Sequence, residues 1–167
     1  MLYVEECDYK DHKVIYYRNS NKSIVKTTIL DLNCNIIQVV ISKYDQMGRN
    51  ICDVLFGRNP TKIIAYREYL FNDNEKHESG WIDYKKVNGI FIKLHSKSSH
   101  WIIKGELARC NWFYPNGELA YYELFKFCDD IKQMCKEFSY FPNDEVILDS
   151  VDTPKLEHFD NYYLDFI

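Results

Sequence analysis

Residues 42–50, SKYDQMGRN, separate two apolar runs, IIQVVI at 36–41 and ICDVLF at 51–56. Asp, Asn and Gly bond their own main chain or accept left-handed backbone, so such a cluster between apolar runs reverses the chain. The signal recurs. Tyr17-Arg18-Asn19-Ser20-Asn21-Lys22, Tyr44-Asp45-Gln46-Met47-Gly48-Arg49 and Phe71-Asn72-Asp73-Asn74-Glu75-Lys76 start 27 residues apart. Each runs from an aromatic through turn residues to a base five positions on. Tyr114-Pro115-Asn116-Gly117-Glu118 starts the same way but lies out of phase and lacks the base.

The runs between these hinges read as strands. In 63–71, Ile64, Tyr66 and Leu70 share one side and Glu68 interrupts it. The runs 87–94 and 101–107 flank a polar stretch from His95 to His100, which predicts a hairpin with a polar loop. IIAYREYLF at 63–71 and ELAYYELFKF at 118–127 share Ala-Tyr-x-Glu, 55 residues apart, a second echo of duplication. Asp129 as N-cap, with Ile131, Met134, Cys135 and Phe138 at i, i+3, i+4 and i+7, predicts a helix over 129–138. Leu124, Phe127 and Cys128 extend that stripe backwards, leaving strand or helix open at 118–127; the echo with 63–71 selects strand. Pro142 and Pro154 then break the chain into an acidic tail whose aromatic end packs back on the body. The expected fold is α+β: a mostly antiparallel β meander, strongly curved or a partly open barrel, with one C-terminal helix packed on it. It forms a single domain, 1–167, with the meander over 1–128, the helix over 129–138 and the tail over 139–167.

Composition agrees with a β-rich globule. Aromatics make up 16% of the 167 residues, with 14 Tyr and 10 Phe, and such side chains suit a half-buried pleated surface. A chain of this length buries enough surface to fold without metal or disulfide. The six cysteines, Cys7, Cys34, Cys52, Cys110, Cys128 and Cys135, form no C-x-x-C pair. Several lie in apolar runs, Cys34 and Cys52 at strand positions, and free Cys packs as a small hydrophobe. No secretory signal opens the chain and no run reaches the ~18 apolar residues of a membrane span, so a cytoplasmic protein with reduced thiols is expected. The net charge of −4 is unevenly spread: from Ser139 on, seven acids face Lys155 alone, leaving −6 there and about +2 on the rest.

YDQMGR resembles the Tyr-Asp-x-x-Gly-Arg core of YD repeats, and FYPNGEL is similar to the Asn-Gly turn of variant MORN-type repeats. The copies at 17–22 and 71–76 depart from it, with Arg for Asp in the first and Glu for Gly in the second. The resemblance implies a repeat architecture and the company of small bacterial antitoxin-like and immunity-type proteins, which bind and neutralise a cognate toxin. It carries over no catalytic residue.

No signature of an enzyme stands out. The histidines are His12, His77, His95, His100 and His158, none in H-x-x-x-H or H-E-x-x-H spacing. His95 and His100 would need a third ligand such as Glu75 or Glu78 to hold a metal. Phosphate-binding glycine motifs and a nucleophile elbow are absent. Lys85, Lys86, Lys93, Lys97 and Lys104 interleave with Trp81, Tyr84, Phe91 and Trp101 as a nucleic-acid platform would, but overall acidity favours solvated edge lysines. The expectation is therefore a non-enzymatic binding module without metal or cofactor: an immunity protein or antitoxin covering the active site of a toxin. Its partner would be a nuclease or another basic toxin domain. Acids Asp144, Glu145, Asp149, Asp152 and Asp160 would steer it, and Tyr162, Tyr163 and Phe166 would anchor it. Two alternatives remain: a barrel-like protein enclosing a small ligand, and a hydrolase using His95 or His100.

Overall fold

The computed structural model describes residues 2–72, 76–102, 106–128, 133–148 and 152–157, without the side chains of 100–102, 106–108, 127–128 and 133–134. Twelve strands occur there: β1 Tyr3–Asp8, β2 His12–Arg18, β3 Ile24–Asp31, β4 Ile36–Tyr44, β5 Asn50–Phe56, β6 Ile63–Leu70, β7 Gly80–Val87, β8 Ile90–Ile102, β9 Glu106–Phe113, β10 Leu119–Cys128, β11 Gln133–Tyr140 and β12 Val146–Ile147. They form one antiparallel sheet in sequence order, with β1 and β12 at its ends; the sheet does not close. Neighbours in the sheet are neighbours in sequence, so the turn residues between them set the topology.

Five of the reversals share one geometry. In 19–23, 31–35, 45–49, 114–118 and 141–145, the first residue's N–H donates to the fifth residue's carbonyl, and the fourth residue's N–H donates to the first residue's carbonyl. The fourth residue is left-handed each time: Lys22, Cys34, Gly48, Gly117 and Asp144, with φ from 62° to 90°. This is a three-residue hairpin loop built on a type I turn with a left-handed residue before the next strand. A side-chain amide or carboxylate fastens it. In the stretch 42–50, Asp45 Oδ1 accepts the N–H groups of Met47 and Arg49, both at 2.9 Å, and Asp45 Oδ2 accepts Arg49 Nε at 2.7 Å. Tyr44 donates its hydroxyl to the Ile24 carbonyl at 2.9 Å, tying the hinge to β3. The loops at 19, 31 and 45 show that the 27-residue echo spans two strands, with an intervening hinge at Asp31.

The Asp45 carboxyl is held below the usual carboxylate range, first by the Arg49 backbone N–H and also by the Arg49 side chain. Asp31 is lowered likewise, first by the Asn35 side chain. A depressed folded pKa means that the stabilisation is present above the unfolded value of about 3.9 and is lost as pH falls through the folded value. Asp45→Asn is expected to flatten the acid limb of a urea-midpoint profile between about pH 5 and pH 2. An unchanged acid limb would show that the carboxylate charge contributes nothing to the turn.

By its contacts the chain divides into two compact units, Met1–Glu68 with Tyr84–Ile92, and Tyr69–Asp83 with Lys93–Glu157. In the first, Val40, Leu55 and Ala65 form a buried cluster, with Val40 opposite Leu55 and Leu55 opposite Ala65 in register. Val39 and Val54, at the alternate positions of β4 and β5, are buried on the other face of the sheet. In the second, Ala120, Tyr121 and Ile147 form the buried cluster, and Trp112, Phe141 and Leu156 pack against it. Leu156 brings the end of the described chain onto that cluster.

Three expectations are corrected. The fold is all-β, not α+β, and no α-helix occurs among the described residues. Where a helix was expected over 129–138, residues 133–138 belong to β11; 129–132 lie outside the described residues. A register shift explains the misleading periodicity. Leu124 pairs with Phe138 and Phe125 with Lys136, so Glu137 is an extra residue in β11. The bulge puts Cys135, opposite Lys126, and Phe138, opposite Leu124, on the same face although they are three residues apart. That i, i+3 spacing mimics a helix, and the stacking of Tyr140 on Tyr122, centroids 5.0 Å apart, adds to the cross-strand pairing.

The polar stretch 95–100 is the second correction. It is no loop but the interior of β8, with Ser96 opposite Phe113 and His100 opposite Arg109. The reversal lies earlier, at Asn88 and Gly89, both left-handed at φ 50° and 87°, the two-residue turn that Asn-Gly favours. Third, Cys34 occupies the exposed left-handed position of a turn, not a strand.

Candidate functional site

In the second compact unit, β7 and β8 bring an Asp–His pair together in the interior. Asp83 is 0% exposed and His95 1%. His95 Nε2 lies 3.4 Å from Asp83 Oδ2, and His95 Nδ1 meets the main-chain oxygen of Glu157. A carbonyl oxygen only accepts, so Nδ1 carries a proton, and Nε2 is the nitrogen turned to the carboxyl.

Aromatic rings wall the pair. Trp112 stacks over His95 with centroids 6.1 Å apart, Trp81 meets Trp112 edge-on, and Tyr121 stacks on the Trp112 ring. Lys97 Nζ sits 4.0 Å from the Trp81 centroid and 5.6 Å from that of Trp112. Trp112 Nε1 donates to Glu123 at 3.0 Å. Cys110 is buried beside Ser99, and burial pushes its thiol up, away from the reactive thiolate. The arrangement therefore has a histidine held as in an acid–base pair, but its outward nitrogen is occupied by the chain's own carbonyl. The His100 side chain lies outside the described residues. Among the described residues no group of three His, Cys, Asp or Glu could hold a metal ion.

The residues expected to meet a partner fall into two groups. Asp144 is exposed and already engaged: it is the left-handed residue of the last hairpin loop, and its carboxylate accepts the Tyr122 hydroxyl at 2.8 Å. That bond holds the Tyr122 phenol above its usual range. Glu145 and Asp152 are exposed. Asp149, Asp160, Tyr162, Tyr163 and Phe166 lie outside the described residues.

A surface the sequence reading missed lies in the first compact unit. The turn at Asn88-Gly89 carries Val87 on one side and Ile90, Phe91 and Ile92 on the other; Ile90 is 70% exposed and the other three are exposed as well. Along β8, Ile90 and Ile92 point to one face and Phe91 to the other, so the hairpin shows apolar side chains on both faces. Aromatic rings pack at the base of the hairpin. Tyr66 of β6 stacks on Tyr84 of β7 at 4.5 Å, Phe91 meets Tyr66 edge-on at 4.9 Å, and Lys86 Nζ lies 5.4 Å from the Phe91 centroid. Burial raises the Tyr84 phenol, with Glu68 beside it adding to the effect. Beside the turn lies a cleft of about 490 Å³ lined by Lys62, Ile63, Ile64, Lys86, Asn88 and Gly89. The Asn-Gly pair inside VNGIFI was the signal for the hairpin; reading 87–94 as one continuous strand hid it.

No family model matches the chain, and no curated protein matches it. Among solved structures it is similar to a porin-like protein from Bacteroides uniformis ATCC 8492, at 10% identity and TM-score 0.45, over 83% of this chain and 54% of that one. It is also similar to a protein of unknown function from Bacteroides fragilis NCTC 9343, at 13% identity and TM-score 0.19, over 87% and 95% of the two chains. The chain spans about half the length of the porin-like protein. Likeness at this level carries no functional conclusion.

Proposed function

We propose that this chain is a non-enzymatic protein-binding module of the immunity or antitoxin class, which neutralises a toxin by occupying its surface. The observation that carries the reading is the exposed apolar hairpin of Val87, Ile90, Phe91 and Ile92 on an aromatic base. Apolar side chains already exposed on a folded hairpin can act as anchors for a partner. The sealed histidine of the Asp83–His95 pair speaks against the hydrolase alternative, because substrate would have to displace the Glu157 carbonyl first. The open sheet weighs against an enclosed barrel as a ligand site. The proposed compartment is the cytoplasm, whose reducing conditions suit the free thiols of Cys7, Cys34, Cys52, Cys110 and Cys135.

The test is capture from a lysate of the source organism with the tagged chain as bait. A stoichiometric protein partner is expected, and Ile90→Ser is expected to weaken its retention by about tenfold or more, because anchor side chains dominate interface energies. Ile90 is so exposed that the substitution leaves the folded core untouched, which a thermal melt checks. A bait that recovers no partner rejects the reading.

A further inference from the structure

Resting on the reading that the hairpin is a protein-binding surface, we propose that its partner presents an acidic, apolar-floored groove, with a partner carboxylate entering the cleft between Lys62 and Lys86. Residues 84–93, YKKVNGIFIK, contain three lysines and no acid. Lys62 and Lys86 are both exposed, both line the cleft, and among the described residues neither pairs with a carboxylate. The floor between them is Ile63 and Ile64, half-buried. Nearby Glu68 adjoins the Tyr84 hydroxyl at the base of the hairpin and does not line the cleft. A surface of this kind rewards an apolar segment that carries negative charge and penalises a basic one, since an unpaired cation facing another cation is costly to desolvate.

The surface makes the opposite demand from the acidic end of the chain, where exposed Glu145 and Asp152 would steer a basic partner. The two are separable by charge reversal. Lys62→Glu with Lys86→Glu is expected to weaken the partner recovered by the wild-type bait about tenfold at low salt, and to remove most of the salt dependence of its association rate. Glu145→Lys with Asp152→Lys is expected to leave both unchanged. A second arm needs no partner: anilinonaphthalene sulfonate, an apolar anion, is expected to bind the wild-type chain several-fold more tightly than either the double Lys→Glu variant or Ile90→Ser.

The outcomes separate the proposal from the reading beneath it. If Ile90→Ser loses the partner while the Lys→Glu pair keeps it at wild-type strength, the hairpin is an interface but its partner is not acidic, and the proposal falls alone. If the Glu145 and Asp152 reversal is the one that slows association, the acidic end meets the partner and the proposal falls. Concentration-dependent self-association abolished by Ile90→Ser, with no other partner recovered, would make a second copy the occupant and overturn it. Equal dye binding by all variants would show that the cleft does not favour apolar anions and would overturn it too.

Discussion

Gly80→Ala is expected to destabilise the second compact unit by about 3 kcal/mol or more, a loss of roughly 10 °C in melting temperature. A Cβ on Gly80 would lie 2.0 Å from the Lys97 carbonyl oxygen, and 3.0 Å from both the Lys97 carbonyl carbon and Ser98 Cα. These are main-chain atoms of β8, so no side-chain rotation relieves the overlap; the start of β7 or the middle of β8 has to move. The residue also sits at φ 157°, where an L side chain is strained whatever the space. The control is Gly117→Ala, in the loop before β10. Its φ is 90° and nothing lies within 4 Å of the added carbon, so only the left-handed backbone penalty of about 1 kcal/mol applies. Thermal melts of the two variants check the contrast. A Gly80→Ala protein that melts with or above Gly117→Ala would show that β7 and β8 approach less closely than the structure describes.

The Asp83–His95 pair supplies the other large effect. Asp83→Ala removes the carboxyl from an imidazole that has no access to water and leaves a cavity, and breaking one side of such a buried pair costs about 3–5 kcal/mol. His95→Ala also removes the donor to the Glu157 carbonyl. It is therefore expected to speed hydrogen exchange in residues 152–157, a change Asp83→Asn should produce only weakly because its amide preserves the volume and a polar contact. Urea denaturation of the two Ala variants and their combination gives a cycle, and a coupling of about 1 kcal/mol or more is expected. Additive losses below that, with unchanged exchange at 152–157, would mean that the histidine does not fasten the chain end to the sheet.

How much of this was visible beforehand differs by feature, and the difference is physical. The hinge at 42–50 was legible because Asp45 and Gly48 act on backbone within four residues of themselves; local chemistry leaves a local record. The equivalent hinge at 31–35 was harder to read because Cys34 takes the left-handed position that Gly48 takes in its counterpart. Asp31 alone, accepting the N–H groups of Asn33 and Asn35 at 2.9 Å, marks it. The hairpin tip at Asn88-Gly89 was also written locally but was overlooked between two apolar runs. The acidic residues illustrate the opposite limit. Composition marked Asp144 as a surface acid, and it is exposed, but its bond to Tyr122, 22 residues away, which also makes it a support for the last hairpin loop, could not be read from composition.

The sequence by itself determined an aromatic-rich chain of short strands folded by Asp- and Asn-fastened turns, because turn geometry depends on side chains reaching their own main chain. Tertiary structure alone decided that 133–140 is a strand, since only pairing with β10 and the bulge at Glu137 reconcile a helical spacing with a sheet face. It alone joined Asp83, His95 and the Glu157 carbonyl, residues up to 74 positions apart. It also left Ile90 in solvent while burying Leu55 and Ala65, residues of like polarity. Burial depends on which strands flank a residue in space, and neighbours in space are what a chain acquires only by folding.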